Sequence, residues 1–211
     1  MMIMNPIRLL PLFTAPRKTY RQLSGSPGLH FTALWIVIIA GLSQAFAQNT
    51  RDMSPVDTGS ALSTFLTATG IIAAFLLFQI ITFYLNGLIL KLVILMFQGR
   101  IKAREARTVY GLSLYPQAFI SPFIFLLFIG QLAGGGSTPA ILTAIASAAV
   151  AAASVWTIVM QVNLISAASG FSGGKSFGVF VVFALLLTLL IFILVLLLAV
   201  IAIFIAGAFS N

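Results

Sequence analysis

Residues 177–209 form a run of 33 positions without one charged side chain. As an α-helix rising 1.5 Å per residue, the run would be about 50 Å long, more than the ~30 Å hydrocarbon thickness of a bilayer. Its Leu, Ile, Val and Phe side chains fall on every face of such a helix, so no face is left for water. Four more apolar stretches precede it, at residues 29–48, 61–97, 108–132 and 140–166. The solvent for most of this chain is therefore lipid. Charged residues make up 7% of the sequence, against roughly 25% in a soluble domain.

The expected fold is all-α, a polytopic transmembrane helical bundle with five spans at about 29–48, 61–86, 108–132, 140–166 and 177–208. These spans form one membrane domain, 29–211, behind a basic segment, 1–28. That segment holds Arg8, Arg17, Lys18 and Arg21 between Pro6, Pro11, Pro16 and Pro27, which break any long helix. Its short apolar run precedes the basic residues and no small-residue cleavage site follows, so it is not a signal peptide. Short helical pieces of this composition suit a position flat on an anionic membrane face.

The stretch 61–97 is too long for one straight span and must overshoot, bend or break. Asn86-Gly87 followed by Lys91 marks the expected far interface, with 88–97 as a continuation or a surface helix. Residues 49–60 and 98–107 read as polar loops, and 134–139 as an uncharged turn. Pro116 and Pro122 each predict a kink in the third span. The Ala and Ser residues of the fourth span allow close helix approach and make it the expected central helix. The fifth is expected to face lipid broadly. The five stretches differ in length and composition, so no internal repeat is evident.

Lys and Arg alternate along the chain. Four precede the first span, one lies in 49–60, four in 98–107, none in the next turn and one in 167–176. By the positive-inside rule the N-terminus and the second and fourth loops are expected in the cytoplasm, with the C-terminus opposite. The net charge of +8 thus reads as topology and anionic-lipid contact, not as nucleic-acid binding.

The chain has no Cys, one His and three acids, all in expected loops. Disulfides, thiolate metal sites, iron-sulfur clusters and cysteine nucleophiles are excluded, one His and three acids leave little for acid-base work, and no catalytic residue, metal or cofactor is expected. Gly173-Gly174-Lys175-Ser176 ends like a phosphate-binding loop, but Ser169 stands where that motif's first glycine belongs, so it reads as a tight turn. Gly130 with Gly134, and Gly174 with Gly178, have dimer-motif spacing at helix ends, where flexible connection is the plainer reading. Polar residues inside the spans leave two readings open. Asn86, Lys91, Gln161 and Asn163 either line an inward-facing cavity for ions, headgroups or substrate, or hydrogen-bond between helices.

Three stretches resemble the Yip1 domain family, in its bacterial branch. They are Phe13-Thr14-Ala15-Pro16-Arg17 before the first span, Tyr110-Gly111-Leu112-Ser113-Leu114-Tyr115-Pro116, and Trp156 followed by Ala167-Ala168-Ser169-Gly170-Phe171-Ser172-Gly173-Gly174-Lys175-Ser176. The resemblance implies five helical spans and a cytoplasmic N-terminus. It makes Tyr110, Gly111, Ser113 and Pro116 candidate functional positions. Eukaryotic members bind Rab GTPases and one another, and the Asp-Leu-Tyr-Gly-Pro motif and long soluble N-terminal region of those members are absent from this chain. The resulting expectation is a non-enzymatic protein of the bacterial cytoplasmic membrane that organises membrane or partner proteins. Anionic headgroups, a membrane-protein partner or a second copy would meet Arg17, Lys18, Arg21, Arg100, Lys102, Arg104 and Arg107. The alternative is a small transporter, channel or lipid-moving protein built on Asn86, Lys91, Gln161 and Asn163.

Overall fold

The computed structural model describes residues 6–49, 61–133 and 140–209. Among them every regular element is helical, without strands. A 3-10 helix, Pro6–Leu12, precedes seven α-helices: α1 Pro16–Leu23, α2 Leu29–Asn49, α3 Ala61–Met96, α4 Ala103–Ser113, α5 Tyr115–Ala133, α6 Ala140–Ser169 and α7 Gly173–Phe209. Three helices are long and apolar enough to cross a membrane, within Ala73–Met96, Ala140–Ser169 and Gly173–Phe204. The pair α4 and α5, bent by 41° at a short break, makes a fourth candidate, while the described apolar part of α2, Leu29–Ala45, is shorter. Length and composition thus support three or four spans where five were expected. The loop expected at 49–60 and the turn at 134–139, Gly134 included, lie almost wholly outside the described residues.

The bend has a local cause. An α-helix running unbroken through residue 116 would drive the Pro116 ring into the carbonyl of Leu112. The chain instead stops at Ser113, and Leu114 takes φ −82° and ψ 2°. A new helix starts with Pro116 in its first turn, where a missing N–H costs nothing. The Leu114 carbonyl accepts from the amides of both Gln117 and Ala118, each at 3.0 Å. No break accompanies Pro122, which lies inside α5.

One expectation is narrowed here and another changes. No helix break falls at Asn86-Gly87: of the two readings of 88–97, continuation or surface helix, the structure has the continuation, with α3 unbroken to Met96. Both residues are buried at a crossing with α4, where their polarity and small size serve a helix contact. The helix ends ten residues later in a Schellman motif. Gln98 adopts φ 62°, its N–H bonds the Leu95 carbonyl and that of Gly99 bonds Ile94, both at 2.9 Å. Nor is 98–107 a loop over its whole length, since Arg104, Glu105 and Arg107 lie in the first turns of α4. The Glu105 carboxylate accepts from the Lys102 backbone N–H at 3.0 Å, capping that helix with a negative charge at its positive end.

One core joins the pieces. Leu9, Leu12 and Tyr20 from the N-terminal segment are buried together with Ala33, Leu90, Leu112 and Leu164. The C-terminal half of α6 is buried against α1, α4, α5 and α7, whereas its other half is largely exposed. Helix α7 packs through Ser176, Val179 and Phe183, and residues 188–204 are exposed throughout, an apolar surface suited to lipid. Gly130 and Gly174 have open space beside them, and Gly178 makes only ordinary contact with Phe97, so the dimer-motif spacing marks no close packing within the chain.

The three expected cytoplasmic segments meet at one end of the bundle. Arg104 Nη2 donates to the Pro27 carbonyl at 3.3 Å, and Gly99 packs directly on the Phe171 ring. Lys175 Nζ sits 4.3 Å above the centre of that ring.

Candidate functional site

Next to this basic end an apolar groove of about 890 Å³ opens between the N-terminal segment, α5 and α6. Phe13, Thr14 and Pro16 form one wall, Pro116, Phe119 and Ile120 a second, and residues of α6 from Ala149 to Asn163 the third. Alanines 149, 152 and 153 keep the third wall low, and Trp156 rises beside them. The Phe13 ring holds the first wall to the second, 5.1 Å from the ring of Tyr115 and 5.2 Å from that of Phe119. At these separations tilted and edge-on aromatic pairs attract beyond their burial.

Asn163 lines the polar end of the groove, and Arg17 stands behind it. Arg17 Nε donates to Asn163 Oδ1 at 2.9 Å across 146 residues of sequence, tying α1 to α6. Asn163 Nδ2 donates in turn to the Val159 carbonyl at 2.8 Å. A methyl group added at Gly173 would lie 3.4 Å from Arg17 Nη2, so the guanidinium sits where α1, α6 and the start of α7 converge. Arg17 is exposed and its side-chain partner is a neutral amide. Glu105 is the one acid among the described residues.

The candidate residues divide among several places. Tyr110 and Asn86 meet in the interior, where Asn86 Nδ2 donates to the phenol oxygen at 2.7 Å. Gly111 lies flat against α2, where a Cβ atom would come within 2.6 Å of the Ala33 carbonyl oxygen. Ser113 is fully buried and donates to the Tyr110 carbonyl at 2.7 Å, which closes the end of α4. Pro116 alone of the four motif positions lines the groove. Lys91 is half-buried on α3, and Gln161 is buried with its Nε2 unpartnered. Asn86, Lys91 and Gln161 do not line the groove that Asn163 lines, so the four polar residues of the expected cavity are not gathered around it.

Among the basic residues, Lys18, Arg21, Arg100, Lys102 and Arg104 are exposed. Arg107 is not a free surface cation. Its guanidinium lies 4.4 Å from the centre of the Tyr84 ring, its Nε is buried without a hydrogen-bond partner, and its side chain covers Gly87. Tyr20 is buried on α1, and burial, then the negative charge of Glu105, pushes its phenol up to about 12.

Tyr84, Thr108 and Phe119 carried no sequence signal of their own. Thr108 donates to the Arg104 carbonyl at 2.8 Å, which leaves its hydroxyl oxygen to accept from His30 Nδ1 at 3.1 Å. An i to i+4 spacing from Arg104 is the only hint the sequence offers.

A family model described as the Yip1 domain matches residues 11–197. That range includes the groove, the basic end and all the candidate positions. No curated protein and no solved structure matches the chain.

Proposed function

Because the chain belongs to the Yip1 domain family, we propose that it is a non-enzymatic membrane protein whose basic end gathers partner proteins and anionic lipid at the cytoplasmic face. One observation carries the reading. The segments around 24–28, 97–102 and 170–173, far apart in sequence, come together at one end and bring Arg17, Arg100, Lys102, Arg104 and Lys175 with them. A one-sided cluster of cations is what the positive-inside rule and attraction to anionic headgroups both favour.

The reading includes five spans, with α2 as the first, the bent pair α4 and α5 as the third, and α3, α6 and α7 as the others. It places the N-terminus in the cytoplasm, the C-terminus opposite, and the protein in a bacterial cytoplasmic membrane. Composition supports a non-enzymatic role, since three acids, one His and no Cys leave few groups for acid-base or nucleophilic work. The His30 imidazole is hydrogen-bonded to a threonine and not to an acid. The expected partner is another membrane protein or a second copy of this chain.

The test is purification of tagged protein from its own membrane in mild detergent, with mass spectrometry of what accompanies it. A stoichiometric protein partner that is lost when Arg100, Lys102 and Arg104 are all changed to Ala is the expected result. Ion or solute flux through the reconstituted protein, abolished by Asn163→Leu in a variant that still folds, would replace this reading with the transporter alternative.

A further inference from the structure

The groove beside Arg17 has the pattern of an amphiphile. Over most of its length it is apolar, walled by Phe119, Ile120, the Trp156 indole with its single N–H, and low alanines, and its one amide side chain, Asn163, lies at the end where Arg17 stands. From Ala149 to Asn163 the α6 wall is about 21 Å long at 1.5 Å per residue, which spans the ~15 Å of one leaflet's hydrocarbon. At the polar end stands a guanidinium with five N–H donors, bonded through one of them to the neutral Asn163. Its positive charge therefore has no carboxylate to answer it there, the one described acid being engaged at the Lys102 amide. A volume of about 890 Å³ lies within the range of small-molecule sites.

We propose that this groove is a specific phospholipid site, with one acyl chain lying along α6 between Trp156 and Phe119 and a phosphate-bearing anionic headgroup held by Arg17. A transmembrane helix of a partner would also cover the small residues of α6. The lipid fits better because the groove changes from apolar to polar and cationic at one end only, which matches a lipid's chain and headgroup. A planar fork of donors binds phosphate in two-point fashion, so charge and geometry both count at this position. The proposal deepens the reading of the basic end as a surface for anionic lipid, and it can fail while the protein-partner test succeeds.

The experiment is native mass spectrometry of the full chain released from detergent, with phosphatidylglycerol or phosphatidylcholine of identical acyl chains added in equal amounts. Retention of phosphatidylglycerol at one equivalent, about tenfold above phosphatidylcholine, is expected. Arg17→Gln should remove the preference and Arg17→Lys should restore part of it. Ala152→Phe, at an exposed position of the wall, should lower retention of both lipids without lowering the melting temperature, which keeps the test independent of any loosening of α1. Millimolar inorganic phosphate should leave retention unchanged, because it offers no chain. Equal retention of the two lipids with no response to Arg17→Gln would overturn the proposal. So would competition by phosphate alone, or a co-purifying membrane protein displaced by Ala152→Phe, since each puts a different occupant in the groove.

Discussion

Replacing Gly111 with Ala adds a single methyl group at the tightest described crossing between α4 and α2. The new Cβ atom would lie 2.6 Å from the Ala33 carbonyl oxygen, 2.9 Å from its carbonyl carbon and 2.9 Å from its Cβ. Two of those three atoms are backbone, so no rotamer change relieves the clash and the helices must move apart. Overpacking of this kind costs about 1–3 kcal/mol. Ala is the better helix former by about 1 kcal/mol, which offsets part of the cost. The net expectation is a loss of up to about 2 kcal/mol, or up to about 8 °C in melting temperature for a chain of this size, and of about 1–3 kcal/mol relative to a Gly→Ala change without the clash. Gly130→Ala is the control for helix propensity, since nothing lies within 4 Å of its added methyl, and it should leave stability unchanged or raised. Both variants are read by thermal unfolding in one detergent at one scan rate, with the fluorescence of Trp35 and Trp156 as the signal, because unfolding of such proteins is often irreversible. If Gly111→Ala melts no lower than Gly130→Ala, the close approach of α4 to α2 is wrong.

The bond between Asn86 and Tyr110 should show as coupling: Tyr110→Phe and Asn86→Leu each cost about 1 kcal/mol, the double variant costs less than the sum, and strict additivity in the melts would refute the bond. Gln98→Gly should stabilise by about 1 kcal/mol, because Gln98 occupies a left-handed conformation that glycine adopts without steric penalty, and an unchanged or lower melting temperature would count against the Schellman ending of α3. The Tyr20 phenol titrates at about 12 in the folded chain against 10.0 for the free group, so below pH 10 it is neutral in both states and its contribution to stability is constant. Above pH 10 the unfolded state loses its proton first, so stability falls through pH 10–12, and Tyr20→Phe should flatten that part of the melting curve against pH. An identical decline in both proteins would mean that Tyr20 is not buried.

The apolar stretches were legible because a run without charge has few fates, and the bend before Pro116 because proline geometry is local. Asn86-Gly87 shows where that kind of reading stops. A polar pair within an apolar run reads as a place where the chain meets water, and its second role, at a helix crossing, shows only through Tyr110 and Arg107 on another helix. Charge counting separated one set of loops from another, and those loops do share an end of the bundle. The groove was not legible as a site, since the bond that makes its polar end joins residues 146 positions apart. Phe13, Pro16, Pro116 and Trp156 appeared in the sequence as parts of three separate weak motifs. Their common purpose in lining one groove emerges only from packing, through aromatic pairs such as Phe13 with Tyr115.

Both proposals depend on the basic end facing the cytoplasm, and the absence of cysteine makes that orientation directly measurable. Single cysteines at Ser26, Lys102 and Ser172, and at Ser54 and Ser210, can be challenged in intact cells with a membrane-impermeant maleimide, then again after the membrane is opened. The first three should stay unlabelled until opening, while Ser54→Cys and Ser210→Cys should react in intact cells. Labelling of Lys102→Cys or Ser172→Cys from outside, with Ser210→Cys protected, would invert the protein in the membrane and contradict the account.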